Sequence, residues 1–244
     1  GSEMCIRDRS KGHGRVDFIN GMAKSCDVYF YITGLEIGPE PMMEIASDFN
    51  LGRFTGIDLP GEERGLVPSI SWKRRVFKQP WYRGDTVNMS IGQGYLLVTP
   101  IQMAVMMAAV ANRGLIWRPY VVDKIQDNSG KIVYENEPFL LNRINLLGST
   151  WEMLDKSLLE VVSSGTGSIA KIEGIRVAGK TGTAENPHGE DHAWFGAYAS
   201  LPEEKPEIAV AVFIDHGKHG SSAAGPAAKE AIREFFKNYS KSVN

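Results

Sequence analysis

The sequence predicts a mixed α/β domain of the α+β kind, in which an antiparallel sheet is flanked by helices. Three apolar stretches, 175–183, 193–200 and 207–215, have the length of strands and are separated by turn residues. The last two are joined by the polar turn 202-PEEKP-206, so we expect them to be adjacent and antiparallel. The strongly apolar segment 96–111 and an amphipathic C-terminal segment supply helices.

The first half of the chain is predicted to be largely helical. Residues 16–36 carry apolar side chains at helical spacing, and the small polar residues of 25-SCD-27 interrupt them, which indicates two helices with a break. A third helix is predicted over 41–49. Residues 52–95 are rich in Gly, Pro and Trp, and we expect an extended surface segment with little regular structure.

The second half begins with a core helix. Thr99 and Pro100 are an N-cap residue and a first-position proline, so a buried helix is predicted over 100–112. The segment 115–135 is predicted to form two strands around the turn 127-DNSG-130. Further helices are predicted over 150–163 and from Gly225-Pro226 to about Tyr239.

Composition excludes some classes of function. The net charge of −2 leaves no basic excess for phosphates, so nucleic acid is not expected as a partner. The basic cluster of Lys73, Arg74, Arg75 and Lys78 is interpreted as a solvated loop face. No apolar run reaches the roughly 20 residues of a membrane span, and two cysteines are too few for a disulfide framework.

The domain is expected to occupy residues 12–244. Residues 1–11 have no apolar period and no signal-peptide pattern, so we interpret them as a tag or foreign segment.

The stretch 174-GIRVAGKTGTAE-185 fits two different chemistries. It matches the G-x-x-x-x-G-K-T pattern of a phosphate-binding P-loop, and it contains K-T-G, the pattern of an anion-binding strand in serine acyl-transferases. A P-loop needs a helix directly after Lys180-Thr181, whereas the residues that follow are glycine, threonine and proline. The β-branched run around Arg176 favours a strand. We therefore expect a strand that carries Lys180, and no cofactor.

Other motifs agree with the K-T-G interpretation. Ser25-Cys26-Asp27 gives an S-x-D pattern upstream of Lys180-Thr181-Gly182-Thr183, in the order known for penicillin-reactive enzymes. Together with 56-GIDLPGEERGLVPS-69 and 84-GDTVNMSIGQGYLLVTPIQMA-104, these motifs make residues 12–240 resemble the class B penicillin-binding proteins, especially the type that acts in side-wall elongation. The resemblance implies a penicillin-binding/β-lactamase-like transpeptidase fold, with a five-stranded antiparallel sheet and helices on both faces.

The resemblance also implies a reaction and residue roles. A serine would attack the D-Ala-D-Ala carbonyl of a peptidoglycan stem peptide, D-Ala would leave, and the amine of a second stem peptide would take the acyl group. Lys180, Thr181 and Thr183 would hold the terminal carboxylate, and Gly182 would let the substrate lie along the strand. The Thr183 N–H would supply half of the oxyanion hole. Ser25 would relay a proton to the leaving amine, and Asp27 would orient the network.

No serine in this chain stands at the position that the resemblance gives to the attacking serine. Its single S-x-x-K is Ser168 to Lys171, which follows S-x-D instead of preceding it, so we interpret Ser168 as a decoy. The resemblance implies that the chain is truncated after the helix that carries the nucleophile, and that the first two sheet strands and a membrane anchor are missing. We expect such a chain to be inactive by itself, and either marginally stable or associated.

The resemblance further implies ligands, partners and a location. Stem peptides and β-lactams would bind the site, and membrane proteins of cell-wall elongation would be partners. The parent protein would be anchored at the periplasmic face of the bacterial inner membrane.

Alternative interpretations remain open at this point. The chain could be a β-lactam sensor or β-lactamase relative, or a non-catalytic scaffold that binds the cell wall. Ser25 and Asp27 could be a capping pair between helices.

No metal site is expected. His188 and His192 have i, i+4 spacing, but Pro187 and Gly189 argue against the helix that this spacing needs. Cys5, His13 and Asp17 could form part of a zinc site, but Cys5 falls in the segment interpreted as foreign.

Overall fold

A computed structural model describes residues 3–4 and 13–242, and side chains over 13–238. The helices are α1 (Phe18–Ala23), α2 (Asp27–Ile37), α3 (Pro39–Asp48), α4 (Ile70–Phe77), α5 (Arg83–Ser90), α6 (Pro100–Ala111), α7 (Gly148–Ser163) and α8 (Ala224–Ser242). The strands are β1 (Glu3–Met4), β2 (Arg15–Val16), β3 (Leu115–Trp117), β4 (Lys124–Gln126), β5 (Ile132–Glu135), β6 (Leu140–Arg143), β7 (Arg176–Ala184), β8 (His192–Ser200) and β9 (Ile208–Ile214). Among the described helices, none is long and apolar enough to cross a membrane.

The central element is an antiparallel sheet of three strands in the order β7-β8-β9. Its register pairs Lys180 with Gly196 and Ala197 with Val210. Within the described part of the chain, the outer edges of β7 and β9 have no strand beside them. The predicted antiparallel sheet flanked by helices is confirmed. The P-loop alternative is wrong, because Lys180 and Thr181 lie inside a strand instead of at the start of a helix.

Both faces of the sheet are covered by helices because β8 alternates its side chains. One set of side chains, which includes the fully buried Phe195, packs against Ile232 and Phe236 of α8. The other set includes Tyr198, which packs against Met107 of α6 and Leu158 of α7. Burial of these apolar side chains from both sides holds the sheet rigid between the helices.

Helix α6 begins as the sequence predicts. Thr99 accepts a hydrogen bond from the Gln102 backbone, and the Gln102 side chain accepts one from the Thr99 backbone at 2.9 Å. The buried Gln102 amide also donates to the carbonyls of Arg53 and Arg64 at 2.8 Å each. These bonds attach the preceding segment to the core helix.

The prediction of an irregular segment over 52–95 is wrong, since it contains α4 and α5. Ser69 caps α4, and Asp85 accepts from the Tyr82 backbone at the start of α5. The interpretation of the basic cluster as a solvated face is wrong for Lys73, which is 2% exposed. Lys73 forms an ion pair with Asp85 and lies 4.6 Å from the Tyr82 ring centre, which compensates its burial.

The prediction of two strands over 115–135 is incomplete. The turn at Asp127–Gly130 does join two strands, β4 and β5, and Gly130 donates to the Asp127 carbonyl. Strand β3, however, pairs with β6, which the sequence pattern did not reveal. Short strands with exposed side chains carry no clear alternation, so their pairing has to come from tertiary contacts.

Phe195→Ala tests the sheet core. We expect a loss of about 3–5 kcal/mol in the free energy of unfolding, because the fully buried ring would leave a cavity between β8 and α8. Urea denaturation measures the loss. Phe213→Ala on β9 is the matched control, since its ring is 38% exposed and should cost clearly less. Equal losses would contradict the assigned core.

Candidate active site

Strand β7 presents Lys180-Thr181-Gly182-Thr183 along its outer edge. In an extended strand the N–H and C=O of one residue point to the same side. The Thr183 carbonyl accepts from the Gln93 side chain on the outer side, at 2.9 Å, so the Thr183 N–H points to that side as well. The edge of β7 therefore offers a backbone donor next to the lysine.

Ser25 and Asp27 lie at the junction of α1 and α2. Ser25 has φ of +49°, a left-handed conformation that is uncommon for a residue with a side chain. Helix α1 ends at Ala23 with Lys24 as its C-cap, and α2 begins at Asp27 with Cys26 as its N-cap. The break that the sequence predicts is confirmed, and its unusual backbone aims the Ser25 hydroxyl at β7.

The structure brings the two motifs together. Lys180 Nζ donates to Ser25 Oγ at 2.5 Å and to the Thr181 carbonyl at 2.9 Å. A cation that is partly enclosed needs such oxygen partners, because burial removes its hydration. The contact joins residues 155 positions apart in the sequence, which makes a local capping role for Ser25 insufficient.

Thr166 completes a chain of hydroxyls and was missed from the sequence. Its Oγ1 lies 3.1 Å from Ser25 Oγ and 3.0 Å from Thr181 Oγ1. The loop after α7 holds it, since the Thr166 N–H donates to the Ala23 carbonyl at 3.0 Å. A Cβ at Gly165 would lie 2.3 Å from that carbonyl, so only glycine allows this approach. The available signal was the pattern 164-SGTG-167, a hydroxyl residue between two glycines.

Gln93, between Gly92 and Gly94, holds the end of the β7 edge. Besides its bond to the Thr183 carbonyl, its side-chain oxygen accepts from the Glu185 N–H at 3.3 Å. One side chain thus takes the place of a neighbouring strand immediately after the K-T-G motif. The sequence pointed to the Gly-Gln-Gly segment only as part of a resemblance, without a role.

The electrostatics of the site centre on Lys180. Burial lowers the pKa of Lys180 to about 8, and the negative charge of Asp27 partly opposes that shift. A lysine with this pKa can take up or release a proton near physiological pH. Asp27 itself is exposed, so it acts on Lys180 through its charge.

Other candidate residues lie away from this cluster. Ser168 is exposed on a 3-10 turn, Ser168–Ala170, and Ser25 is the serine that contacts Lys180. Asp17 caps α1 by accepting from the Asn20 N–H, and Cys5 lies outside the described residues. His188 is in the loop after β7, as predicted.

A Lys-Thr-Gly strand whose lysine meets an Ser-x-Asp serine defines the class of penicillin-reactive acyl-transfer domains. A family model described as the penicillin binding protein transpeptidase domain matches residues 3–236, and the chain belongs to this family.

Relatives and solved structures agree. The chain is 35% identical over 240 residues to peptidoglycan D,D-transpeptidase MrdA of Acinetobacter baumannii, covering 92% of this chain and 35% of that protein. Against MrdA of Escherichia coli it is 32% identical, covering 96% and 39%. The PBP2 structure from Helicobacter pylori matches with a TM-score of 0.80 at 33% identity, covering 96% of this chain and 42% of that one. The chain thus spans little more than a third of the length of these curated relatives, which are peptidoglycan D,D-transpeptidases by name.

Asp27→Asn tests the electrostatic link. We expect the pKa of Lys180 to fall further below about 8, because the substitution removes the charge that stabilises the ammonium group. An NMR titration of the lysine side chains measures it. Asp48→Asn at the end of α3 is the control, since Asp48 is not among the groups that act on Lys180. An unchanged or raised pKa in Asp27→Asn would contradict the link.

Proposed function

We propose that this chain forms the carboxylate-binding and proton-relay side of a peptidoglycan D,D-transpeptidase site. The observation that carries the proposal is the contact between Lys180 and Ser25 on the open edge of β7. The family supports the reaction class, and the names of the relatives give the substrate class.

The substrate would lie along β7 as an added strand. Gly182 has no side chain to obstruct the substrate, and a Cβ added at Gly182 would lie 3.1 Å from the Trp194 side chain. Lys180 and the hydroxyls of Thr181 and Thr183 would bind the terminal carboxylate through charge-assisted hydrogen bonds. Gln93 already occupies the edge beyond Thr183, so the substrate strand would end there.

The same residues would serve the chemical steps. The outward Thr183 N–H would donate to the oxyanion that forms when the D-Ala-D-Ala carbonyl is attacked. The proton released by the attacking hydroxyl would pass through Ser25, which contacts Lys180, to the leaving D-Ala amine, and the charge of Asp27 would favour the protonated form of Lys180 throughout. The hydroxyls of Thr166 and Thr181 would keep Ser25 oriented.

The attacking serine is not assigned within this site. Among the described residues, the serine of the S-x-x-K pattern is Ser168, which lies on an exposed turn. We therefore propose that this chain does not complete the reaction by itself.

The relatives support a proposal about where this protein works. PBP2 from Helicobacter pylori has been solved in complex with MreC, at 32% identity and a TM-score of 0.79 to this chain. By analogy, we propose that the protein works with membrane proteins of cell-wall elongation at the periplasmic face of the inner membrane.

Lys180→Ala tests the carboxylate site. We expect the affinity for a peptide that ends in D-Ala-D-Ala to fall roughly 10- to 100-fold, the equivalent of one charge-assisted hydrogen bond. NMR titration that follows the amides of Thr181 to Thr183 measures it. Lys171→Ala removes an exposed lysine upstream and should leave the affinity unchanged. If both variants bind the peptide equally well, Lys180 is not the carboxylate ligand.

The intact mass of the chain after incubation with a penicillin tests whether the chain can form the acyl-enzyme by itself. We expect no covalent adduct, because no nucleophile of the S-x-x-K kind stands beside Lys180 in the described chain. A stoichiometric adduct would overturn this proposal. Peptide mapping would then distinguish Ser25, which contacts Lys180, from the exposed Ser168.

A further inference from the structure

Four of the chain's five histidines, His188, His192, His216 and His219, lie near one end of the sheet, beyond the K-T-G motif, and two of them converge on a carboxylate. His192 begins β8, and Asp215 and His216 directly follow β9. His192 Nδ1 lies 2.7 Å from one Asp215 carboxylate oxygen, and His216 Nε2 lies 3.7 Å from the other. The potential ligand atoms of the three residues all lie within 4.8 Å of one another.

The hydrogen bonds of His216 determine which ring nitrogen carries the proton. His216 Nδ1 lies 3.0 Å from the Glu190 carbonyl, which can only accept, so Nδ1 is the protonated nitrogen. The Asn186 side-chain nitrogen lies farther from it, at 3.4 Å. In the neutral ring the lone pair is then on Nε2, which faces the Asp215 carboxylate. A histidine that donates one N–H to a backbone carbonyl and points its other nitrogen into a site has the usual arrangement of a metal ligand.

His192 also has a ring nitrogen that faces the Asp215 carboxylate. Its Nδ1 accepts the His216 backbone N–H at 3.2 Å, yet the same nitrogen faces the Asp215 carboxylate at 2.7 Å. Two acceptors at that distance repel each other, so either a proton on Nδ1 or a metal ion bound by both groups has to relieve the repulsion.

We propose that His192, Asp215 and His216 form a binding site for a divalent transition metal ion, with Zn²⁺ the ion that two imidazoles and a carboxylate favour. Three protein ligands with a water at the fourth position are an ordinary set for zinc. Ligand atoms bonded to zinc at about 2.0–2.1 Å stand roughly 3.3 Å apart in a tetrahedron. The three candidate ligand atoms lie within 4.8 Å of one another, so zinc binding would draw them together by no more than about 1.5 Å.

The surrounding loops are built to hold His216 in place. His216 has φ of +52°, which is uncommon for a residue with a side chain. A Cβ at Gly189 would lie 2.8 Å from the His216 ring, so the glycine lets the loop after β7 close over it. The Lys218 N–H donates to the Asp191 carbonyl at 2.8 Å and ties the two loops together.

The site would also stiffen the substrate strand. The loop Asp215–Gly220 runs from the proposed ligands to the backbone of β7, where a Cβ at Gly220 would lie 2.4 Å from the Gly182 carbonyl. A metal ion that fixes one end of this loop limits the motion of its other end against Gly182.

Zinc chloride titrated into the whole chain, followed by calorimetry, tests the proposal. We expect saturable binding that His192→Ala and His216→Ala each weaken at least about tenfold, because each removes a ligand. His188→Ala and His219→Ala are matched controls, since both histidines lie in the same loops outside the ligand set. They should bind zinc as the unmodified chain does. Circular dichroism checks that each variant folds, and Asp215→Asn serves as a third, nearly isosteric variant.

Two results would overturn the proposal. One is zinc binding that is absent, or that falls equally in His188→Ala and His216→Ala, which means an adventitious ion only. The other is binding that His13→Ala abolishes and His216→Ala leaves intact, which assigns zinc to the N-terminal segment. Hydrogen exchange gives an independent readout: zinc should slow the exchange of amides 186–191 and 215–220, and unchanged exchange at saturating zinc would count against the site.

Discussion

The site depends on one constraint, which is that Lys180 must place a cation in a partly enclosed position between β7 and the α1–α2 junction. Burial opposes the charge and lowers the pKa of Lys180 to about 8 from its ordinary value of 10.5. The folded chain thus holds the proton less tightly than the unfolded chain does. The resulting cost to stability is present in full below pH 8 and disappears as the pH rises towards 10.5. Ser25 and Asp27 reduce that cost, because both interact favourably with the ammonium group.

Several backbone features follow from the same constraint. Ser25 can reach Lys180 because its backbone is left-handed between two helices, and Thr166 can reach both partners because Gly165 lets its loop approach α1. The hydroxyls that result are each within hydrogen-bonding distance of a neighbour. A buried polar network is stabilising only when its members are satisfied, so these features have to occur together. The sheet core under β8 provides the rigid support.

Particular residues show how much of the fold and of the site could be predicted from the sequence. Lys180, Thr181 and Ser25 were predictable because their motifs have fixed short spacings, and α6 was predictable because Thr99 and Pro100 are local signals. Thr166 and Gln93 were not, since they act on partners 141 and 90 residues away. Helices α4 and α5 were missed because tertiary contacts, among them the buried pair of Lys73 and Asp85, outweigh a glycine- and tryptophan-rich composition.

The edge of β7 is closed at two points. Gln93 ends it after Thr183, and Lys180 occupies the Thr181 carbonyl. What remains open is the short stretch that includes the outward Thr183 N–H. A free strand edge ordinarily invites unspecific pairing. Closing it on both sides of the K-T-G motif leaves room for one short extended ligand with a terminal anion, which is the property that a carboxylate-selective acyl-transfer site requires.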